Sequence, residues 1–299
     1  MAVETDNVAP NIDDVALVFE GGGMRVSATA PVVVQLLAEQ LNFAYVVGVS
    51  AGASNALNYV SRDADRAKKS FVEFGADKNL GSVWTFLQGK GMFNAEYIYE
   101  HTAGPGESLP FDFATYRANP ADVRIGTMDA ETGEEIWWRK ADHPTLLDLV
   151  KQLRSSSSQP ILMPPTKYRG HVLYDGAIGS HGGIPLSIAQ AEGYKKFFIV
   201  PTRPRDYVKG PDAPAPLVNT FLRKYPHVAT GLNERAKNWN TTKEEIIELE
   251  RSGDAYVFWP EHIPYPDAFR NVSQLQANYD LGLAQARREA PAWHEWLGV

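Results

Sequence analysis

Residues 15–52 read VALVFEGGGMRVSATAPVVVQLLAEQLNFAYVVGVSAG, and this stretch decides the fold. Residues 15–19 are a short, continuous apolar run that stops at three glycines, the pattern of a strand buried on both faces. Residues 31–41 set Val33, Val34, Leu37 and Leu41 at helical spacing, with polar Gln35, Glu39 and Gln40 between them and Pro31 in the first turn. Residues 43–47 are a second apolar run, ending at Gly48. Strand, helix and strand in this order predict a βαβ unit: a parallel pair, a right-handed crossover, and helices that cover the sheet. The fold class is therefore α/β.

Outward from this unit, helices are expected over 51–61 and 62–74, the second amphipathic with Ala67, Phe71 and Phe74 on one side. Residues 75–120 are rich in glycine and proline and read mostly as long loops. Strands are expected over 123–128 and 135–138, flanking a turn at Thr132 and Gly133. A helix follows over 145–154, then a short apolar stretch at Val172 and Leu173. Beyond it come a helix over 185–192 stopped by Gly193 and a buried strand over 197–200 closed by Pro201. Residues 204–216 carry four prolines and read as a linker or surface loop. Thr242-Lys243-Glu244-Glu245 has the form of a capping box opening a helix over 244–251, with Gly253 as its stop. A strand over 256–259 and a last helix over 273–290 complete the reading.

The composition narrows the function. A chain of 299 residues, 44% hydrophobic and 22% charged, is ordinary for a globular protein, not a disordered, collagenous or coiled-coil one. It has no cysteine, which excludes disulfides, iron–sulfur clusters, cysteine-ligated zinc and a thiol nucleophile. Its 29 basic against 36 acidic residues give a net charge of −7, which argues against a nucleic-acid partner. The same balance argues against strong global attraction to anionic lipid and leaves room only for a local basic patch. The opening MAVETDNVAPNIDD lacks the basic and apolar regions of a secretory signal. No run approaches the roughly 18 apolar residues of a membrane-spanning helix. A cytoplasmic protein is expected, with the sequons at Asn240 and Asn271 free of sugar.

Three motifs carry chemistry. Gly48-Val49-Ser50-Ala51-Gly52 is a G-x-S-x-G between an expected strand and an expected helix, the setting of a nucleophile elbow. Gly48 and Gly52 suit a turn where a Cβ would clash, and Ser50 would stand at the carboxyl end of the sheet above a helix start. Glu20-Gly21-Gly22-Gly23-Met24-Arg25 follows the first strand, and such a glycine run leaves N–H groups free to bind an anion. A dinucleotide fingerprint would need glycine at position 26, which is Val26, and no Gly-Lys-Ser/Thr follows for a P-loop. A tetrahedral oxyanion beside Ser50 fits better. Arg25 either stabilises anionic charge or makes a structural ion pair. Tyr174-Asp175-Gly176-Ala177 is the third motif; alone it reads as an Asp-Gly turn.

In this order the motifs resemble those of the patatin-like phospholipase family: a glycine-rich loop with a basic residue, then G-x-S-x-G, then D-G-G or D-G-A. Here they stand as GGGMR, GVSAG and DGA. Residues 128–133 (MDAETG) and 155–165 (SSSSQPILMPP) also look like family blocks, so the resemblance covers about residues 15–201. Val26 and Ala53 depart from glycines common in the family. The resemblance implies a three-layer α/β/α sandwich with a mostly parallel central sheet over 15–201. Residues 204–299 would be a mainly helical extension packed on it. It implies a phospholipase A-type lipid acyl hydrolase working through a Ser50–Asp175 dyad and an acyl-enzyme, with Gly21, Gly22, Gly23 and Arg25 at the oxyanion, and no cofactor or metal. The substrate would be a lipid or acyl ester. Alternatives are a small-molecule carboxylesterase or acyltransferase with the same dyad, and a catalytically silent lipid-binding protein. His181, His143 and His171 are the candidates for a rival triad, His181 the best placed. Residues 80–93, with Trp84, Phe86, Leu87, Met92 and Phe93, would pack on the core, cover an acyl pocket or make peripheral contact with a membrane.

Overall fold

The structure, a computed structural model, describes residues 9–81 and 91–299. The chain runs β1 (Ile12–Phe19), α1 (Ala30–Ala38), β2 (Phe43–Val49), α2 (Ala51–Val60), α3 (Ala64–Phe71), α4 (Ala95–Glu100) and α5 (Phe113–Ala118). It continues through β3 (Asp122–Asp129), β4 (Glu135–Arg139), α6 (Leu146–Ser156), β5 (Thr166–Tyr168), β6 (His171–Asp175), α7 (Leu186–Ala191) and β7 (Lys196–Val200). Then come α8 (Ala215–Phe221), α9 (Pro226–Ser252), β8 (Ala255–Val257) and α10 (Val272–Leu297).

The strands form one 8-stranded sheet in the order β5-β6-β3-β2-β1-β7-β8, with β4 also paired to β3. Pairing is parallel from β3 through β2, β1 and β7 to β8, and antiparallel where β4, β5 and β6 join. The apolar run of β1 is explained by burial on both faces. Leu17 and Phe19 belong to one core with Leu36 of α1, Leu57 of α2, Leu149 of α6 and Trp293 of α10. Ala16 and Val18 belong to another with Leu186 of α7 and Trp239 and Ile246 of α9. Helices thus cover both faces of a mixed, largely parallel sheet, as the α/β/α reading requires.

Past residue 204, β8 extends the main sheet beside β7, and Trp293 of α10 lies in the same core as β1. Two expectations change here. The stretch 75–120 contains α4 and α5, each opened by a side-chain cap, from Asn94 and Asp112. The capping box at Thr242 does not start a helix, because α9 runs unbroken from Pro226 to Ser252 and buries Thr242 and Lys243. A cap contributes about 1 kcal/mol. Burying Trp239 and Ile246 on the sheet contributes roughly 1.5–3 kcal/mol each, and packing wins. Gly253 does end that helix, at φ 84°.

Candidate active site

The pairing of β3 brings Ser50 and Asp175 together. Gly126 pairs with Val49 of β2 and with Trp137 of β4, so those strands lie on opposite edges of β3. Thr127, one residue on, pairs with Ile136 of β4 and with Asp175 of β6. β2 and β6 therefore share an edge and meet end to end, one finishing at Val49 and the other at Asp175. Ser50 follows Val49 directly, and its Oγ donates to Asp175 Oδ2 at 2.7 Å, across a separation of 125 residues.

The turn at Ser50 is strained. Its φ of 54° and ψ of −131° lie where L-residues rarely sit. Residues 48 and 52 are both crowded by backbone. A Cβ on Gly48 would lie 2.6 Å from the Gly52 carbonyl, and one on Gly52 would lie 2.5 Å from Phe19 O and Glu20 O. A side chain at 48 would push α2 off β2, and one at 52 would push α2 off the end of β1.

Asp175 is buried, and Oδ1 accepts the Ala177 N–H at 2.8 Å while Oδ2 faces Ser50. Burial pushes its pKa up from 3.8 to about 6, against the downward pull of the Ala177 N–H, Arg235 and the Ser50 hydroxyl. Its surroundings thus make it a stronger base than an ordinary aspartate.

The run of four serines at 155–158 carries two contacts that the sequence reading did not assign. Ser156 Oγ accepts the Ser50 N–H at 2.8 Å and donates to Gly126 O at 2.6 Å, filling the gap where the β2–β3 ladder ends. The Ser158 carbonyl accepts the Asp175 N–H at 2.9 Å. The end of α6 therefore clamps both residues. A small, hydroxyl-rich run at the end of an expected helix was the available signal, since a linker would not be buried.

The glycine loop splits into two roles. The Gly21 N–H donates to Gly183 O at 3.0 Å, so Gly21 is not a free oxyanion donor as expected; it supplies close approach, its Cβ position lying 3.0 Å from Ser50 Cβ. Gly22 and Gly23 have N–H groups with no protein acceptor among the described residues. Glu20 fixes the entrance to this loop: one carboxylate oxygen accepts the Trp239 Nε1–H at 2.7 Å and the other the Thr202 N–H. Arg25 makes no ion pair among the described residues, and its Nε is buried without a partner. Among the described residues the structural ion pair considered for it is therefore not found.

Two family models match the chain: "Patatin-like phospholipase" over residues 17–189, and a domain of unknown function, DUF6363, over residues 225–298. The chain belongs to the patatin-like phospholipase family. A curated relative, the uncharacterised protein YjjU of Escherichia coli K12, is 26% identical over 195 residues, which is 64% of this chain and 52% of that protein. The chain thus spans about half the length of that relative. The crystal structure of VipD from Legionella pneumophila aligns with a TM-score of 0.46 at 11% identity, over 94% of this chain and 67% of that one.

Among the described residues of this patatin-like chain, no hydrogen bond joins a histidine to Ser50 or Asp175. His181 Nδ1 accepts the Gly183 N–H at 3.1 Å, and burial holds its pKa below the usual value. His143 pairs with the Tyr116 hydroxyl at 2.7 Å and His171 with Asp129 at 2.6 Å. Two cavities flank the Ser50–Asp175 pair. Ser50 lines a narrow, mainly apolar one of about 90 Å³ with Phe71, Phe74, Leu80, Phe93 and Met163. Asp175 lines a polar one of about 540 Å³ with Arg25, Arg203, Lys209 and Arg235. Gln159 borders both. Of the expected 80–93 loop, Leu80 and Phe93 lie on the apolar pocket, Phe93 stacked edge-on against Phe269, while Trp84, Phe86 and Leu87 fall outside the described residues. Among the described residues no helix is long and apolar enough to cross a membrane, and no His, Asp or Glu group has the make-up of a metal site.

Proposed function

We propose that the protein hydrolyses the carboxylic ester of a lipid through a Ser50–Asp175 dyad. The observation that carries this reading is the 2.7 Å hydrogen bond from Ser50 Oγ to a buried carboxylate, together with the Gly22 and Gly23 amides, which have no protein acceptor among the described residues. Ser50 Oγ attacks the ester carbon as its proton passes to Asp175 Oδ2, and the carbonyl π electrons move onto oxygen. The Gly22 and Gly23 N–H groups and the dipole-positive start of α2 stabilise that oxyanion. Collapse breaks the bond to the alcohol, which leaves with the proton from Asp175. Water then adds to the acyl-enzyme by the same route and gives its proton to Asp175. Release of the carboxylic acid returns that proton to Ser50.

An aspartate at its ordinary pKa is a weak base for a hydroxyl; one raised to about 6 stays largely ionised at neutral pH and takes the proton more readily. Residues 15–201 carry the chemistry in this reading. Residues 204–299 form the packed extension, and Trp239 steadies the glycine loop through Glu20.

A fluorophosphonate probe and p-nitrophenyl butyrate test the proposal together. Wild type is expected to be labelled at Ser50 and to release nitrophenolate, and Ser50→Ala to do neither. A folded wild-type protein that takes no label and cleaves no ester would mean a silent lipid-binding protein instead.

A further inference from the structure

Among the described residues that line the apolar pocket beside Ser50, Arg66 alone is charged. It stands on α3, which packs on α2, and is 8% exposed. Its Nη1 donates to Asn58 Oδ1 of α2 at 2.5 Å and its Nε to Leu109 O at 3.5 Å, while the guanidinium lies over the Phe111 ring at 5.1 Å. Among the described residues Nη2 has no protein acceptor, and no carboxylate lies within ion-pair distance of the group. Asp63 is spent on the start of α3, where its Oδ1 accepts the Arg66 backbone N–H at 2.8 Å. Arg124 and Arg154 show the contrast, since each holds a glutamate, Glu192 at 2.6 Å and Glu100 at 2.5 Å.

The fold sets this charge at a distance from Ser50. Asn58 lies two turns of α2 beyond Ser50, roughly 12 Å along the helix axis, and Arg66 is bound to it. Ser54, one turn along, lines the same pocket, and Phe71, Phe74, Leu109 and Leu153 supply apolar wall. A cavity of about 90 Å³ has room for roughly six to nine groups the size of a water molecule or a methylene. Burial pulls the Arg66 pKa down to about 10, against Asp63 and Tyr99, so the group stays charged at neutral pH. A plain alkyl tail would leave that charge buried without a counter-charge, which is costly. A carboxylate would accept from the free Nη1 and Nη2 hydrogens together, as a two-pronged fork.

We propose that the apolar pocket receives an acyl chain whose far end is a carboxylate held by Arg66, so that the preferred substrates are half-esters of medium-length dicarboxylic acids. The inference rests on the acyl-hydrolase reading and extends it to the acyl group. The bonds made and broken are those at Ser50 already described. The far carboxylate takes no part in them, and hydrolysis releases the alcohol and a free dicarboxylic acid. Arg66 is thus a specificity-determining residue that binds the substrate away from the reacting carbon.

The test compares kcat/KM on mono-p-nitrophenyl suberate, its ω-methyl ester and p-nitrophenyl octanoate, with suberate binding followed by calorimetry. Wild type should prefer the free acid over the methyl ester by about tenfold or more, the scale of a charge-assisted hydrogen bond. Arg66→Met should abolish that preference, lose suberate binding and cleave the octanoate ester faster than wild type, a gain that misfolding does not produce. Arg66→Lys keeps the charge without the fork; it should retain only part of the preference, and it serves if Arg66→Met does not fold. No preference in wild type, or an unchanged preference in either folded variant, overturns the proposal. If wild type cleaves none of the esters, the acyl-hydrolase reading fails separately. Suberate binding then decides the pocket: present in wild type and lost in Arg66→Met, the assignment stands; absent in wild type or kept in Arg66→Met, it falls.

Discussion

At Ser50 the backbone is held at φ 54° and ψ −131°; at Asp175, its hydrogen-bond partner, it lies at an unstrained φ −52° and ψ 130°. The first turn is made by five consecutive residues pressed between β1 and α2, and strain of this kind is worth about 1–3 kcal/mol. The second is held by residues far along the chain, Ser158 through its carbonyl and Ser50 through its hydroxyl, and what it stores is desolvation of a carboxylate. In the proposed mechanism conformational strain would fix the direction of the Ser50 hydroxyl as nucleophile, and lost hydration would raise the strength of Asp175 as base. The two contributions are separable, so each can be removed alone.

Six substitutions break or sharpen this contrast. Ser50→Ala and Asp175→Asn should each lower ester hydrolysis roughly 10⁴-fold or more, yet differ in stability. Because burial raises the folded-state value of Asp175 from 3.8 to about 6, its ionised form destabilises the fold above pH 6, and that cost fades as pH falls from 6 towards 3.8. Asp175→Asn should therefore melt higher than wild type at pH 8, by up to roughly 3 kcal/mol, and lose that advantage by pH 4. A lower melting temperature at pH 8 would contradict the desolvation account.

Gly52→Ala comes next, since its Cβ would meet backbone oxygens at 2.5 Å. A loss of about 3 kcal/mol or more is expected in urea unfolding. Ser156→Ala should lower kcat roughly 10- to 100-fold by loosening the Ser50 N–H. Neighbouring Ser155→Ala should leave activity near wild type, because among the described residues Ser155 Oγ bonds only to Lys151 O within its own helix. The smallest effect is that of His181→Ala. It should keep substantial hydrolysis, with kcat/KM still falling through a single acid limb near pH 6, set by Asp175. Disappearance of that limb in the folded variant would return the base to histidine.

Much of this was legible beforehand because the determinants are local. The apolar runs at 15–19 and 43–47 required strands, and the glycines flanking Ser50 predicted a sharp turn, since each follows from sterics among near neighbours. The capping box at Thr242 misled because a local preference competed with the burial of Trp239 and Ile246. Gly21 looked equivalent to Gly22 and Gly23, and only the approach of Gly183 separates it from them. Nothing near the four serines marked Ser156 apart from Ser155; which hydroxyl faces Gly126 depends on how α6 sits on the sheet.

By itself the sequence determined the βαβ opening, the elbow and an α/β chain without cysteine chemistry, all consequences of spacing and sterics within a few dozen residues. Tertiary structure alone decided that β3 outruns β2, so that β6 can deliver Asp175 to Ser50. It also gathered Arg25, Arg203, Lys209 and Arg235 around one cavity in an acidic chain. Strand register and helix placement are set by the packing of the whole core, and no short window of residues contains that information.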